Sequence, residues 1–100
     1  MLLCMVLYDI ERDKTRTKVA KMLIKHGFSR LQYSVFAGSI EQERFNKMWE
    51  TLTEKIAKDE NELDKLYVLF IGKDQFRKMK CYGPEPNKEL IIGSLPSMLI

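Results

Sequence analysis

The chain is poor in the residues that staple, metallate or membrane-anchor a protein. Its 100 residues include two cysteines, one histidine and one tryptophan. Cys4 and Cys81 form no metal-ligand spacing, and Cys4 lies inside an apolar run, so both read as free, packed thiols of a reducing compartment. With His26 as the single imidazole, no zinc-ligand set and no Ser-His or Cys-His pair can be assembled. No glycine-rich phosphate loop occurs. The longest apolar stretch falls well short of the ~20 residues that span a bilayer. No basic segment precedes Leu2, and Asp9 falls where a cleavage site would lie, so no secretory signal is expected. The expected setting is cytoplasmic, with no membrane partner.

What is present suits one folded domain over residues 1–100. At 45% hydrophobic and 31% charged, the chain is neither disordered nor membranous in composition. Its first segment, Leu2 to Tyr8, is continuously apolar and stops at Asp9. Such a run predicts a central strand covered on both faces. A carboxylate directly after it belongs where the strand leaves the core, since burying it unpaired is costly. Two readings of Asp9 stand on position alone. It either opens a loop, as Asp commonly does, or carries chemistry at a strand end.

The segment to His26 has Val19, Met22 and Leu23 at helical spacing, with Asp13 as expected N-cap and Gly27 closing the helix. Arg12, Lys14, Arg16, Lys18, Lys21 and Lys25 make it one-sidedly basic, either as a solvated face or toward an anionic partner. His26 falls where a helix C-terminus favours a cation. Phe28 to Ser39 reads as two short strands with a turn or bulge near Tyr33-Ser34, or as one bent strand. Ser39 and Gln42 fit a capping box for a second helix, whose stripe of Phe45, Met48, Trp49, Leu52 and Ile56 is core, with Trp49 the expected anchor. Lys58 to Asp64 is a polar loop, and Leu66 to Gly72 reads as a second central strand. Gln75-Phe76-Arg77 suits a turn of helix.

This order, βαββαβ, predicts an α+β, ferredoxin-like sandwich with two helices on one sheet face. The other face is expected to meet a copy of the chain. Met79 to Tyr82 is expected as an edge strand. Residues 79–100, ending in the apolar Leu95 to Ile100, are expected as a C-terminal strand and tail on the partner's sheet.

The chemistry left to these residues is carboxylate with cations. Asp9, Glu11 and Asp13 alternate among arginines and lysines. Carboxylate oxygens suit Mg²⁺, which takes one or two per site and completes its shell with water and phosphate. A two-fold dimer would bring two copies of Asp9 to one such ion.

Tyr8-Asp9-Ile10, the basic helix with Arg16 and Lys18, and Arg30-Leu31-Gln32-Tyr33-Ser34-Val35-Phe36-Ala37-Gly38 together resemble the CRISPR-associated protein 2 family. Gln75-Phe76-Arg77 followed by Gly83 is similar as well, so the resemblance runs over roughly residues 3 to 92. It implies a homodimer of antiviral defence that acts as a Mg²⁺-dependent endonuclease on RNA or double-stranded DNA. The alternative it carries is a non-catalytic adaptor that holds duplex DNA and bridges dimers of the adaptation integrase. A toxin-like messenger-RNA nuclease of similar fold is a remoter reading. By resemblance Asp9 is the metal-binding, catalytic aspartate, and Tyr8, Arg16, Lys18, Arg30 and Phe36 contact nucleic acid. Lys18 stands where an arginine is common, which keeps the charge and loses the bidentate fork. Glu11-Arg12 also departs from the family pattern, placing a cation beside the metal position.

Overall fold

The computed structural model describes residues 1–93. The elements run β1 (Leu2–Asp9), α1 (Asp13–Lys25), β2 (Ser29–Gln32), β3 (Val35–Ile40), α2 (Gln42–Ala57), β4 (Lys65–Phe70), α3 (Lys73–Arg77) and α4 (Lys88–Ile92). The first six follow the expected βαββαβ order. They form a four-stranded sheet in the order β2-β3-β1-β4 with every neighbouring pair antiparallel.

The alternation of β1 explains why it is apolar throughout. Cys4, Val6 and Tyr8 point into a core with Val19 and Leu23 of α1 and Met48 and Leu52 of α2. Leu3 points the other way, into a second cluster with Ala37, Phe76, Ile91 and Ile92. The strand is sandwiched, and Asp9 emerges exposed at its end. Phe28 to Ser39 is two strands, with Tyr33 and Ser34 between them and a register shift between Arg30 and Gln32. Gly38 is required on β3, because a Cβ there would meet the Phe28 ring at 2.8 Å. Gly27, at φ +86°, ends α1 in a conformation that other residues resist.

Several expectations are corrected. Asp13 is not the N-cap of α1: Arg12 occupies that place, and Asp13 is the first helical residue, where its charge suits the dipole. Ser39 does not cap α2. It stays in β3, Glu41 takes the cap, and the Ser39 hydroxyl reaches the carbonyls of Ile91 at 2.8 Å and Ile92 at 3.0 Å. Trp49 is not the anchor of α2. It is 38% exposed and stacks on Phe45, while Met48 and Leu52 are fully packed. β4 is an edge strand rather than a central one, with Tyr67, Leu69 and Phe70 exposed. Cys81 is exposed rather than packed; Cys4 is buried as expected.

The C-terminal segment departs most from expectation. No strand forms between residues 79 and 82. Leu90-Ile91-Ile92 is helical instead, because the Asn87 side chain accepts from the Leu90 amide at 3.2 Å and Gly93 closes the turn at φ +93°. Lys88 Nζ donates to the carbonyls of Arg77 (3.0 Å) and Met79 (2.8 Å), fastening α4 to α3. The chain thus covers part of its own second sheet face, at the Leu3 end, and leaves the Asp9 end open. The tail from Leu95 to Ile100 lies outside the described residues.

Candidate metal and nucleic-acid site

Antiparallel register sets the surroundings of Asp9. Asp9 lies opposite Lys65 and Leu7 opposite Tyr67, so these four side chains share the sheet face away from α1 and α2. They line one shallow cavity together with Tyr8. Lys65 does not close an ion pair with Asp9, and among the described residues the Asp9 carboxylate makes neither a hydrogen bond nor an ion pair.

Four neighbouring acids are engaged, whereas Glu60 and Glu62 on the same loop point to solvent, their side chains without a partner among the described residues. Arg12 pairs with Asp59 at 3.4 Å. The Glu11 amide donates to Asp64 Oδ1 at 3.1 Å, and Asn61 Nδ2 donates to Glu11 Oε2 at 2.9 Å. Asp13 pairs with Arg16. The loop from Ile10 to Arg12 is thereby stitched to the loop before β4, and Asp9 at the strand end stays outside this clamp. Asp59, Asn61 and Asp64 make this clamp, which sequence reasoning read only as a polar loop; acids and an amide clustered between two elements were the available signal.

Arg16 carries the clamp further. One of its terminal nitrogens, Nη1, donates to the carbonyls of Ile10 and Glu11, each at 2.7 Å. Its side chain is 24% exposed, and these two bonds hold the turn after Asp9.

The other expected site residues divide among separate places. Tyr8, Arg16 and Arg30 line a cleft of about 290 Å³ between α1 and the β2–β3 hairpin. Lys18 is not there. It joins Lys14, Lys55 and Lys58 in a basic pocket between α1 and the end of α2. Phe36 is 0% exposed, so its expected place on a polynucleotide-facing surface is corrected. It stacks beneath Tyr8, with ring centroids 6.2 Å apart, and supports the Arg30 guanidinium, 4.9 Å from its centroid. Arg12 is turned to Asp59 rather than toward Asp9. Among the described residues no group of three or more His, Cys, Asp or Glu gathers to hold a metal. No helix there is long and apolar enough to cross a membrane.

A small antiparallel sheet flanked by helices is a fold shared with solved Cas2 proteins. The description CRISPR associated protein Cas2 matches residues 1–79, and the chain belongs to that family. Its structure is similar to the crystal structure of Streptococcus pyogenes Cas2 at pH 6.5, with a TM-score of 0.69 and 26% identity over 81% of this chain and 99% of that one. A chain of a partial Cas6-RT-Cas1–Cas2 complex has the same fold, at a TM-score of 0.71 and 24% identity over 81% of this chain and 90% of that one. In sequence, CRISPR-associated endoribonuclease Cas2 2 of Chloroflexus aurantiacus is 34% identical over 53 residues, 53% of this chain and 62% of that protein. CRISPR-associated endoribonuclease Cas2 1 of Methanospirillum hungatei is 49% identical over 43 residues, 43% of this chain and 45% of that protein. The chain spans about half the length of the curated relatives it matches.

Proposed function

We propose that this protein is a cytoplasmic CRISPR adaptation protein that cleaves phosphodiester bonds in RNA or double-stranded DNA with Mg²⁺ or another divalent cation. The observation that supports it is the placing of Asp9: it stands exposed and unengaged at the end of β1, while Glu11, Asp13, Asp59 and Asp64 beside it are bound to partners. An all-protein metal cage does not fit the described residues. Mg²⁺ does not require one, since one or two carboxylates suffice when water and substrate phosphate complete the shell. Asp9 fits that demand. When bound, the cation neutralises phosphate charge and makes an attacking water more acidic.

The functional unit of this reading is a homodimer of ferredoxin-like chains in which two copies of Asp9 serve one site. The open Asp9 end of the second sheet face and the exposed Tyr67, Leu69 and Phe70 on edge strand β4 support it, because an uncovered apolar edge invites another chain. Lys65 stands next to Asp9 to hold a phosphate oxygen, and Arg30 and Lys21 hold the backbone on the opposite side of Tyr8. Arg16 keeps the turn in place so that Asp9 stays at the strand end.

The test is a nuclease assay of wild type and Asp9→Asn over a range of Mg²⁺ with RNA and duplex DNA in parallel. Asp9→Asn loses cleavage and keeps its far-UV circular dichroism and oligomeric state. Cleavage by the variant at the wild-type rate rejects the assignment.

One observation favours an adaptor role beside, or in place of, cleavage. The pocket of Lys14, Lys18, Lys55 and Lys58 lies on the helix side of the molecule, apart from Asp9, where it can grip duplex backbone without serving a reaction. In that reading the dimer holds DNA while an integrase engages it. Spacer acquisition then survives Asp9→Asn and is lost on charge reversal at Lys18 and Lys55.

A further inference from the structure

The cleft between α1 and the β2–β3 hairpin contains more than the backbone-holding cations assigned above. Its lining has an apolar part, made by the buried Tyr8 and Ala20 and the exposed Ile24. On its hairpin side stands Tyr33, a residue 70% exposed although it sits on a tight turn where a polar residue would cost nothing. The Arg30 guanidinium lies 5.8 Å from the Tyr33 centroid and 4.9 Å from that of Phe36. Held by ring faces alone, Arg30 makes no hydrogen bond or ion pair among the described residues, and neither does Lys21. No acid lines the cleft. Two uncommitted cations, an exposed aromatic residue and apolar lining are the parts that recognise an unstacked base with its phosphate.

We propose that this cleft seats one unpaired nucleotide of a single-stranded polynucleotide, its base stacked on Tyr33 and its phosphate held by Arg30 and Lys21. The volume, about 290 Å³, is close to the ~300 Å³ at which small-molecule sites begin, so it has room for one base and not several. A duplex offers no base face to Tyr33, because its bases are already stacked on one another. The cleft therefore favours single strands, whereas the lysine pocket between α1 and α2 makes no such distinction. This inference rests on the reading of the protein as a nucleic-acid binder.

The experiment compares binding of a fluorescent oligouridine with an abasic strand of the same length and charge, for wild type, Tyr33→Phe and Tyr33→Ala. Wild type and Tyr33→Phe bind the base-bearing strand about tenfold tighter, as expected for one stacked base. In Tyr33→Ala the difference disappears. Equal binding of both strands by wild type, or a preference that persists in Tyr33→Ala, overturns the nucleotide seat while leaving backbone binding intact. Binding of neither strand, and of no duplex, overturns the nucleic-acid reading along with it.

Discussion

Replacing Arg16 by alanine separates two roles that resemblance and geometry give the same side chain. If Arg16 is chiefly a phosphate contact, Arg16→Ala weakens nucleic-acid binding and leaves the fold alone. The structure points to the opposite outcome. Nη1 makes two hydrogen bonds to carbonyls, of Ile10 and Glu11, both at 2.7 Å. Bonds from a charged donor each contribute about 1.5–3 kcal/mol. The side chain is 24% exposed, so the lower end applies. The pair with Asp13 adds little, because that carboxylate is 89% exposed. The expected loss is therefore about 3 kcal/mol. With a urea m-value of roughly 1–3 kcal/mol/M, the midpoint falls by about 1–3 M. Arg16→Lys recovers part of the loss. An ammonium keeps the charge and has donors for both carbonyls, but it sits on a shorter side chain that does not place them where Nη1 lies. The assay is urea unfolding followed by far-UV circular dichroism, at one fixed protein concentration because association shifts apparent stability. An Arg16→Ala midpoint equal to wild type, together with a salt slope of DNA binding reduced by about 1, refutes the clamp and makes Arg16 a phosphate contact.

Other expectations follow from the same structure. Phe36→Ala removes a fully buried ring and lowers stability by about 3–5 kcal/mol, measured by the same unfolding assay; a wild-type midpoint contradicts its place in the core. Ser39→Ala releases the Ile91 and Ile92 carbonyls and costs about 1 kcal/mol, seen as faster amide exchange in α4 but not in α1. Burial pushes the Cys4 thiol up from 9.0 to about 11. Between those values the unfolded chain gives up this proton while the folded chain keeps it, so stability is complete below the lower value and falls as pH rises toward the upper one. That alkaline loss shrinks in Cys4→Ala, and an alkylating reagent at about pH 8 labels Cys81 before Cys4.

The comparison of Trp49 with Phe36 shows where pattern reading stops. Both are large aromatics in apolar stretches. Trp49 follows Met48 directly in α2, and helical geometry turns consecutive side chains about 100° apart, so burying Met48 leaves Trp49 at the margin. Phe36 lies on β3 opposite Val6, on the face that α1 and α2 cover. Ser39 illustrates the same limit. Its spacing to Gln42 satisfies a local capping rule, yet two carbonyls more than fifty positions away claim its hydroxyl. The pair of short apolar runs, Leu66 to Ile71 and Leu90 to Ile92, could not be told apart as strand and helix by hydrophobicity. Asn87 and Gly93, a cap and a left-handed terminator, were the signals that mark the second as helical.

Sequence by itself determined the succession of elements through α2 and β4, because hydrophobic period and turn chemistry act over a few residues. It also placed Asp9 at the mouth of β1, since a lone carboxylate after seven apolar residues has nowhere else to go. Tertiary structure alone decided that β4 is an edge, that α3 and α4 close one end of the second face, and that the basic residues fall into a cleft and a separate pocket. It alone showed that Asp9 stays unengaged at the strand end while Asp13, Asp59, Asp64 and Glu11 find partners. Those outcomes depend on which distant groups come within hydrogen-bonding reach, and no local spacing encodes that distance.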